Sequence, residues 1–243
     1  MPPLRFGHAS RTLPIDSSRI LLQGHSQGGH AAWEMGGVLA DRLSGVVPVI
    51  GVSWRDEFFT NYQKTPLYII DGSEDGAAPE MIRKSMPNLA KHDVDATYVE
   101  YTGRKHEAFY EEYPRVMQWA RNYSRERIAE VNLVALRKSD FRRRWIEIQE
   151  TLSPLPEINP QGKERATVKG KVHTAKVELQ TKNVKKPTLH IPLEWSMWKS
   201  LQVLTNGRSQ KVNLELDWAY LLKHAHLTGD RHILYMDHKT ITP

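Results

Sequence analysis

The sequence predicts an α/β fold, a parallel sheet in the first half of the chain, followed by a small, mostly antiparallel β module. Apolar runs typical of buried strands alternate with helix-like runs over residues 15–123, which favours a parallel sheet. After about Arg125 the apolar runs become short and β-like. The net charge also changes, from −2 over residues 1–124 to +8 over residues 125–243. We therefore predict two domains, 1–124 and 125–243.

The elements of the first domain follow one another in a regular order. Four runs are typical of strands: 19–23, 46–52, 66–70 and 96–101. Three runs are typical of helices: 30–43, 81–92 and 111–123. Because each strand is separated from the next by a helix or a loop long enough to cross over, the strands are expected to run parallel.

The second domain contains mainly strand-like runs. We predict them at 130–136, 143–149, 175–180, 188–193, 201–205, 211–216 and 231–237, with one helix at 218–227. Asn206-Gly207 is a strong hairpin signal, although the loop around it looks longer than two residues. Residues 153–162 hold three prolines and a glycine and are expected to form a loop or linker.

Composition excludes several classes of chemistry. The chain has 243 residues and no cysteine, which removes disulfides, zinc–thiolate sites and a cysteine nucleophile. No run of about 18 uncharged apolar residues is present, so we expect no membrane partner. The N-terminal residues lack the apolar segment of a signal peptide, so none is predicted in this chain. The sequence does not determine the cellular compartment.

Several features of the second domain have an ordinary structural interpretation. Arg142-Arg143-Arg144 is expected to be a solvated hairpin, and no nucleic-acid-binding motif accompanies it, so no nucleic-acid partner is predicted. Trp195 and Trp198 are expected to pack in a core, with a stacking platform for a sugar or polymer as the alternative. His224, His226 and His232 lack the carboxylate-rich spacing of a metal site, and no metal is predicted.

The segment Gly24-His25-Ser26-Gln27-Gly28 carries the chemistry. It matches G-x-S-x-G and stands between a strand-like and a helix-like run, where a sharp turn would expose the Ser26 hydroxyl. Gly24 and Gly28 would let neighbouring backbone approach without a Cβ clash. We therefore predict that Ser26 is a nucleophile on a strand-to-helix elbow, and that the Gln27 N–H contributes to an oxyanion hole.

A serine nucleophile needs a base, and the base needs an acid that orients it. On this fold the acid and then the histidine follow the serine along the chain. Asp75 lies in a turn-rich segment after the third strand, and His106 lies after the fourth. Asp71 and Glu74 are rivals for the acid; Asp71 stands too close to the strand end and Glu74 one residue early. We favour Ser26, Asp75 and His106 as the catalytic set.

Three segments of residues 15–123 resemble the C-terminal half of α/β-hydrolase esterases, which include phospholipase/carboxylesterases, acyl-protein thioesterases and prolyl-oligopeptidase-like catalytic domains. The carriers are residues 15–29 with the elbow, residues 68–75, and residues 105–109. The resemblance implies a Ser26–Asp75–His106 triad, an acyl-enzyme and no cofactor. This sequence departs from the family's usual motif at Asp71-Gly72, where the family has His-Gly. Residues 125–243 look like the β-rich module that follows such domains in some bacterial predicted peptidases and esterases.

The resemblance also implies that strands preceding the elbow are missing from this sequence. One oxyanion donor comes from a loop in that part of the family fold, so we expect a fragment of a longer protein with impaired activity. The strand at 19–23 would become an exposed sheet edge and could drive self-association. The predicted function is a serine hydrolase acting on a small-molecule or polymeric ester or peptide. The alternative is an impaired fragment that binds a ligand or polymer through the β module.

Overall fold

A computed structural model describes residues 12–157 and 164–242. The chain divides into two compact units, Ser18–Glu126 and a second one that holds the described residues among Met1–Ser17 and Arg127–Pro243. The described residues before Ser18 thus group with the second unit, although the sequence analysis assigns them to the first domain.

The first unit contains a four-stranded parallel sheet in the order β1-β2-β3-β4. Its strands are β1 (Leu21–His25), β2 (Gly45–Val49), β3 (Leu67–Gly72) and β4 (Ala96–Tyr101), and its helices are α1 (Gln27–Leu39), α2 (Ala78–Lys91) and α3 (Tyr113–Ala120). Every residue of β2 and β3 is buried, as expected for central strands that read as continuous apolar runs. The predicted parallel sheet is confirmed.

The two outer strands of this sheet are only partly covered. All six residues of β4 are half-buried, and β1 alternates between half-buried and exposed positions. Among the described residues, β1 pairs with β2 alone, through the register Leu21↔Gly45 to His25↔Val49. The strand that carries the elbow therefore lies at an edge of the sheet.

The second unit contains two further sheets. Strands β5 (Glu130–Ala135), β8 (Ala166–His173), β9 (Lys176–Lys182), β11 (Ser200–Thr205) and β12 (Arg208–Asn213) form one, in the order β12-β11-β9-β8-β5. Strands β6 (Arg142–Arg143), β7 (Ile146–Glu150), β10 (Lys186–Pro192) and β13 (Tyr235–Thr240) form the other, in the order β13-β10-β7-β6, and helix α4 spans Trp218–Thr228. Buried side chains from both sheets make one hydrophobic cluster. All pairings are antiparallel except β9 with β11, so a mostly antiparallel β module is confirmed.

Three local expectations for the second unit were wrong. The hairpin at Asn206-Gly207 has a two-residue loop, because Thr205 pairs with Arg208 and both loop residues have positive φ. Strand β8 was not predicted, because its few apolar residues are separated by polar ones and give only a weak strand signal. The last strand begins at Tyr235 rather than at 231.

The arginine cluster also differs from expectation. It does form a hairpin, with β6 pairing antiparallel to β7, but Arg143 and Arg144 are only 1% and 2% exposed. Burial of a guanidinium is costly unless other polar groups surround it, so these two side chains belong to the interior of the unit rather than to a solvated face. Among the described residues, no helix combines the length and apolar character needed to cross a membrane.

Candidate functional site

Ser26 occupies the sharp turn between β1 and α1. Its φ of 57° and ψ of −117° lie in a region that a residue with a Cβ rarely adopts. The Ser26 N–H donates to the Val49 carbonyl, and the Ser26 carbonyl accepts from the His30 N–H, so the turn is held between β2 and the first turn of the helix. The backbone strain expected of a nucleophile elbow is therefore present at the predicted residue.

Glycines permit this turn, but not in the way that the motif suggested. A Cβ placed on Gly24 would lie 1.8 Å from the Gly28 carbonyl oxygen, so no larger residue fits there. A Cβ on Gly28 would meet nothing within 4 Å, whereas one on Gly29 would lie 2.5 Å from the Val49 carbonyl oxygen. Steric necessity thus applies to Gly24 and Gly29, and the expectation that Gly28 avoids a Cβ clash was wrong.

Two loops that follow β3 and β4 are joined by hydrogen bonds. The Ser73 N–H donates to the Tyr101 carbonyl, the Glu74 N–H donates to the Arg104 carbonyl, and the Gly103 N–H donates to the Ser73 hydroxyl. These bonds fix the loop that contains Asp75 against the loop that contains His106. The carboxyl ends of parallel strands lie at the same end of a sheet. Both loops therefore lie at the end of the sheet at which the elbow follows β1.

The structure brings the three predicted residues into hydrogen-bonding distance. His106 Nε2 lies 2.8 Å from Ser26 Oγ, and His106 Nδ1 lies 3.0 and 3.2 Å from the two Asp75 carboxylate oxygens. With Nδ1–H donating to Asp75, Nε2 is unprotonated and can accept the Ser26 proton. The side chain of His106 is 52% exposed and that of Asp75 is 16% exposed. Solvent therefore reaches the histidine more easily than the carboxylate that orients it.

The two rival acids occupy different environments. Glu74 is exposed and its backbone, rather than its carboxylate, contributes to the loop contacts. Asp71 is completely buried at the end of β3, where its Oδ1 accepts the Gly72 N–H at 2.7 Å. Burial, followed by the charge of Asp75, raises the pKa of Asp71 to about 7. Asp71 is therefore a second, buried carboxyl group that keeps its proton to a higher pH than an ordinary aspartic acid does.

A buried polar cluster that sequence reasoning missed lies beside the His106 loop. Glu112 is 1% exposed and accepts hydrogen bonds from the Tyr68 hydroxyl at 2.5 Å, from the Tyr101 hydroxyl and from Arg115 at 2.8 Å. Burial alone would raise the pKa of Glu112, but these three donors outweigh it and hold the pKa below its usual value. The cluster joins β3, β4 and the start of α3; no local sequence signal announces it, because its members are far apart in the chain.

The His106 loop is braced from its other side by an arginine. Arg104 forms ion pairs with Glu107 at 2.6 Å and Glu111 at 2.8 Å, and its guanidinium lies 5.2 Å from the centre of the Phe109 ring. Phe109 is buried, has a φ of 47° and stacks on Tyr101 at 4.8 Å. The backbone on both sides of His106 is thus anchored.

Three further observations concern the surroundings of the elbow and the possibility of a metal site. Gln27 is the first residue of α1, and the N–H groups of a first helical turn have no acceptor within the helix, so this N–H is available to a ligand. Trp54, which follows β2, is 64% exposed and stacks on His30 at 5.3 Å. Among residues 12–157 and 164–242, no group of three or more histidines and acids could hold a metal ion.

Comparisons with known proteins find likeness in structure but not in sequence. No family model and no curated protein matches the chain. Solved structures that it resembles include a thermostable esterase (20% identity, 49% of this chain, 34% of that one, TM-score 0.41). Others are SOBER1 of Arabidopsis thaliana (18%, 44%, 54%, 0.40) and the Bacillus cereus carboxylesterase (16%, 48%, 56%, 0.40). The chain spans between about a third and slightly more than half of the length of these structures.

Proposed function

We propose that this chain carries the catalytic residues of a serine hydrolase that cleaves carboxylic ester bonds, or peptide bonds, through an acyl-enzyme. The observation that supports it is the continuous hydrogen-bond chain from Asp75 through His106 to Ser26, on a strained strand-to-helix turn. This order of acid, histidine and serine supports the roles of orienting acid, base and nucleophile that a serine hydrolase needs.

Acylation follows from the directions of these hydrogen bonds. His106 Nε2 removes the Ser26 hydroxyl proton as Oγ attacks the substrate carbonyl carbon, and Asp75 stabilises the imidazolium that forms. His106 then gives that proton to the leaving alcohol or amine, and the acyl group stays on Ser26. Water, activated by the same histidine, hydrolyses the acyl-enzyme and regenerates the serine. No cofactor takes part in either half.

Stabilisation of the oxyanion is where this chain is weakest. The elbow offers the Gln27 N–H, and a second donor would come from outside the residues that surround the triad. Loss of one preorganised donor typically costs about 3–4 kcal/mol of transition-state stabilisation, a factor of roughly 10²–10³ in rate. We therefore expect slow turnover, while formation of a covalent adduct with a strongly activated reagent remains measurable.

The test is covalent labelling by a fluorophosphonate probe, with the modified residue mapped by mass spectrometry. Labelling is expected at Ser26, and Ser26→Ala should abolish it while leaving the circular dichroism spectrum unchanged. Ser124→Ala, which removes an exposed hydroxyl from the same unit, is the matched control and should label normally.

Two outcomes would overturn the proposal. Adduct on a residue other than Ser26 would show that the elbow does not hold the nucleophile. Equal labelling of the wild-type protein and His106→Gln would show that the histidine does not activate Ser26. The choice of ester or peptide follows from p-nitrophenyl acetate and amino-acid p-nitroanilide hydrolysis, each corrected for the Ser26→Ala background.

A further inference from the structure

The second unit contains a cavity of about 360 Å³, remote in sequence from the triad residues. Its volume lies in the range of roughly 300–1,000 Å³ that is typical of small-molecule sites. Its walls include three tryptophans and its charged side chains are Arg127, Arg144 and Glu194. We propose that this cavity binds an aromatic carboxylate, a flat apolar ring system that carries one negative charge.

The aromatic wall is built before any ligand arrives. Trp145 and Trp195 pack edge to face with ring centres 5.7 Å apart, and Trp195 lies 5.6 Å from Trp198. The Trp145 indole N–H donates to the Ile128 carbonyl at 3.1 Å, which fixes the orientation of that ring. Preorganised aromatic surface adds affinity because little side-chain freedom is lost when a ligand stacks on it.

The backbone also holds Trp195 and Trp198 in place. Trp195 belongs to a short 3₁₀ turn that follows β10, over Leu193–Met197, and Trp198 is the residue that ends this turn; its N–H donates to the Trp195 carbonyl at 2.9 Å. Trp195 is 7% exposed, whereas Trp198 is half-buried and forms part of the accessible wall. The expected core packing of this pair is confirmed, since Trp195 belongs to the buried cluster and Trp198 packs against it; both also line the cavity, where a ligand could contact them.

The charges of the lining favour an anion. Arg127 donates to the His232 carbonyl at 3.2 Å and forms an ion pair with Glu194 at 3.4 Å. Arg144 also belongs to the lining and is 2% exposed, so the wall contains two arginines and one glutamate. A guanidinium presents paired N–H donors to a carboxylate, and its attraction is strengthened where water is scarce.

The distribution of polar groups argues against a sugar as the occupant. A monosaccharide has several hydroxyl groups, each of which needs a partner when it is buried. Apart from the three charged side chains and the indole N–H groups of the tryptophans, of which that of Trp145 already donates to Ile128, the lining offers one aliphatic hydroxyl, of Thr174, and the phenol of Tyr235. A single carboxylate on an aromatic ring matches that pattern, since it places one anionic group among the guanidiniums and apolar carbon against the indoles.

Isothermal titration calorimetry with sodium 2-naphthoate tests the proposal on the full chain. We expect saturable binding of one equivalent, and binding at least tenfold weaker for 2-naphthalenemethanol, which lacks the charge. Sodium glucuronate, which has the charge without the aromatic ring, should also bind at least tenfold more weakly. Absence of saturable binding by naphthoate, or tighter binding by either analogue, would overturn the assignment.

Variants locate the binding site. Trp198→Ala should weaken naphthoate binding at least about fivefold through lost stacking, and Arg127→Met should do the same through lost charge, with Arg127→Lys retaining more affinity than the methionine. Trp218→Ala is the matched control, because Trp218 belongs to the same unit but is 64% exposed and does not line the cavity. Binding that survives both Trp198→Ala and Arg127→Met, or that Trp218→Ala weakens equally, would place the ligand elsewhere and refute the proposal.

Discussion

Replacement of Asp71 by asparagine should stabilise the protein, and by more at high pH than at low pH. Asp71 is completely buried at the end of β3, and its pKa is raised from 3.8 to about 7 by burial and by Asp75. A carboxyl group whose pKa is higher in the folded state than in the unfolded state lowers the free energy of unfolding at every pH at which the unfolded chain ionises it. Stability is therefore lost as pH rises from about 4 to about 7, and the loss is complete above pH 7.

The size of the effect follows from the shift. Three pKa units correspond to about 4 kcal/mol between the two limits, at 1.36 kcal/mol per unit. An asparagine amide cannot ionise, has nearly the same shape, and can accept the Gly72 N–H through its oxygen as Asp71 Oδ1 does. The stability difference between Asp71→Asn and the wild type should therefore grow by about 3 kcal/mol between pH 5 and pH 8.

Urea unfolding of both proteins at these two pH values, followed by tryptophan fluorescence and by far-UV circular dichroism, measures the difference. Glu57→Gln serves as the control, since it removes one exposed carboxylate from the same unit. A stability gain that is the same at both pH values, or that shrinks as pH rises, would refute the assignment of a buried neutral acid at Asp71.

Three further outcomes follow from other contacts. Gly24→Ala should abolish folding of the elbow, because its Cβ would lie 1.8 Å from a carbonyl oxygen. Gly28→Ala should keep the wild-type thermal midpoint within a few degrees, because its Cβ would meet nothing within 4 Å. An equal fall of the thermal midpoint in both variants would contradict the packing described. Glu112→Gln should cost about 2–3 kcal/mol at pH 7 in urea unfolding. That cost should fall as pH drops through the ordinary range of a glutamic acid, because the lowered pKa of Glu112 contributes stability only above it, and a pH-independent cost would exclude this origin. Finally, sedimentation velocity should reveal concentration-dependent association through the outer strand β1. Gln23→Lys, which places a charge at an exposed position of that strand, should weaken the association. A wild-type protein that stays monomeric at all concentrations would show that β1 does not mediate self-association.

The fold places its chemistry where a parallel sheet makes loops converge. The elbow after β1, the Asp75 loop after β3 and the His106 loop after β4 all stand at the carboxyl ends of strands, which is where open α/β sheets bind ligands. The buried Glu112 cluster and the Arg104 ion pairs hold the His106 loop, so a residue 80 positions from Ser26 reaches it at 2.8 Å. Positioning of this kind accounts for the geometry that the proposed mechanism uses.

The sequence by itself determined the local features of this protein. The order of serine, acid and histidine is read directly along the chain, although it spans 80 residues. The strand–elbow–helix pattern around Ser26 and the individual strand-like and helix-like runs depend on residues close together in the chain. Such features are legible because turn geometry and apolar periodicity act over a few residues.

Only the tertiary structure decided which distant groups meet. Asp75 and Asp71 are four residues apart in the same turn-rich segment, and the choice between them depends on where the loop after β4 carries His106. In the same way, the sequence analysis predicts that Arg144 is solvated because it is charged, yet Arg144 is buried and lies in the lining of a cavity that also contains three tryptophans. Burial and contact arise from long-range packing, which fixes the surroundings of a side chain independently of its neighbours in sequence.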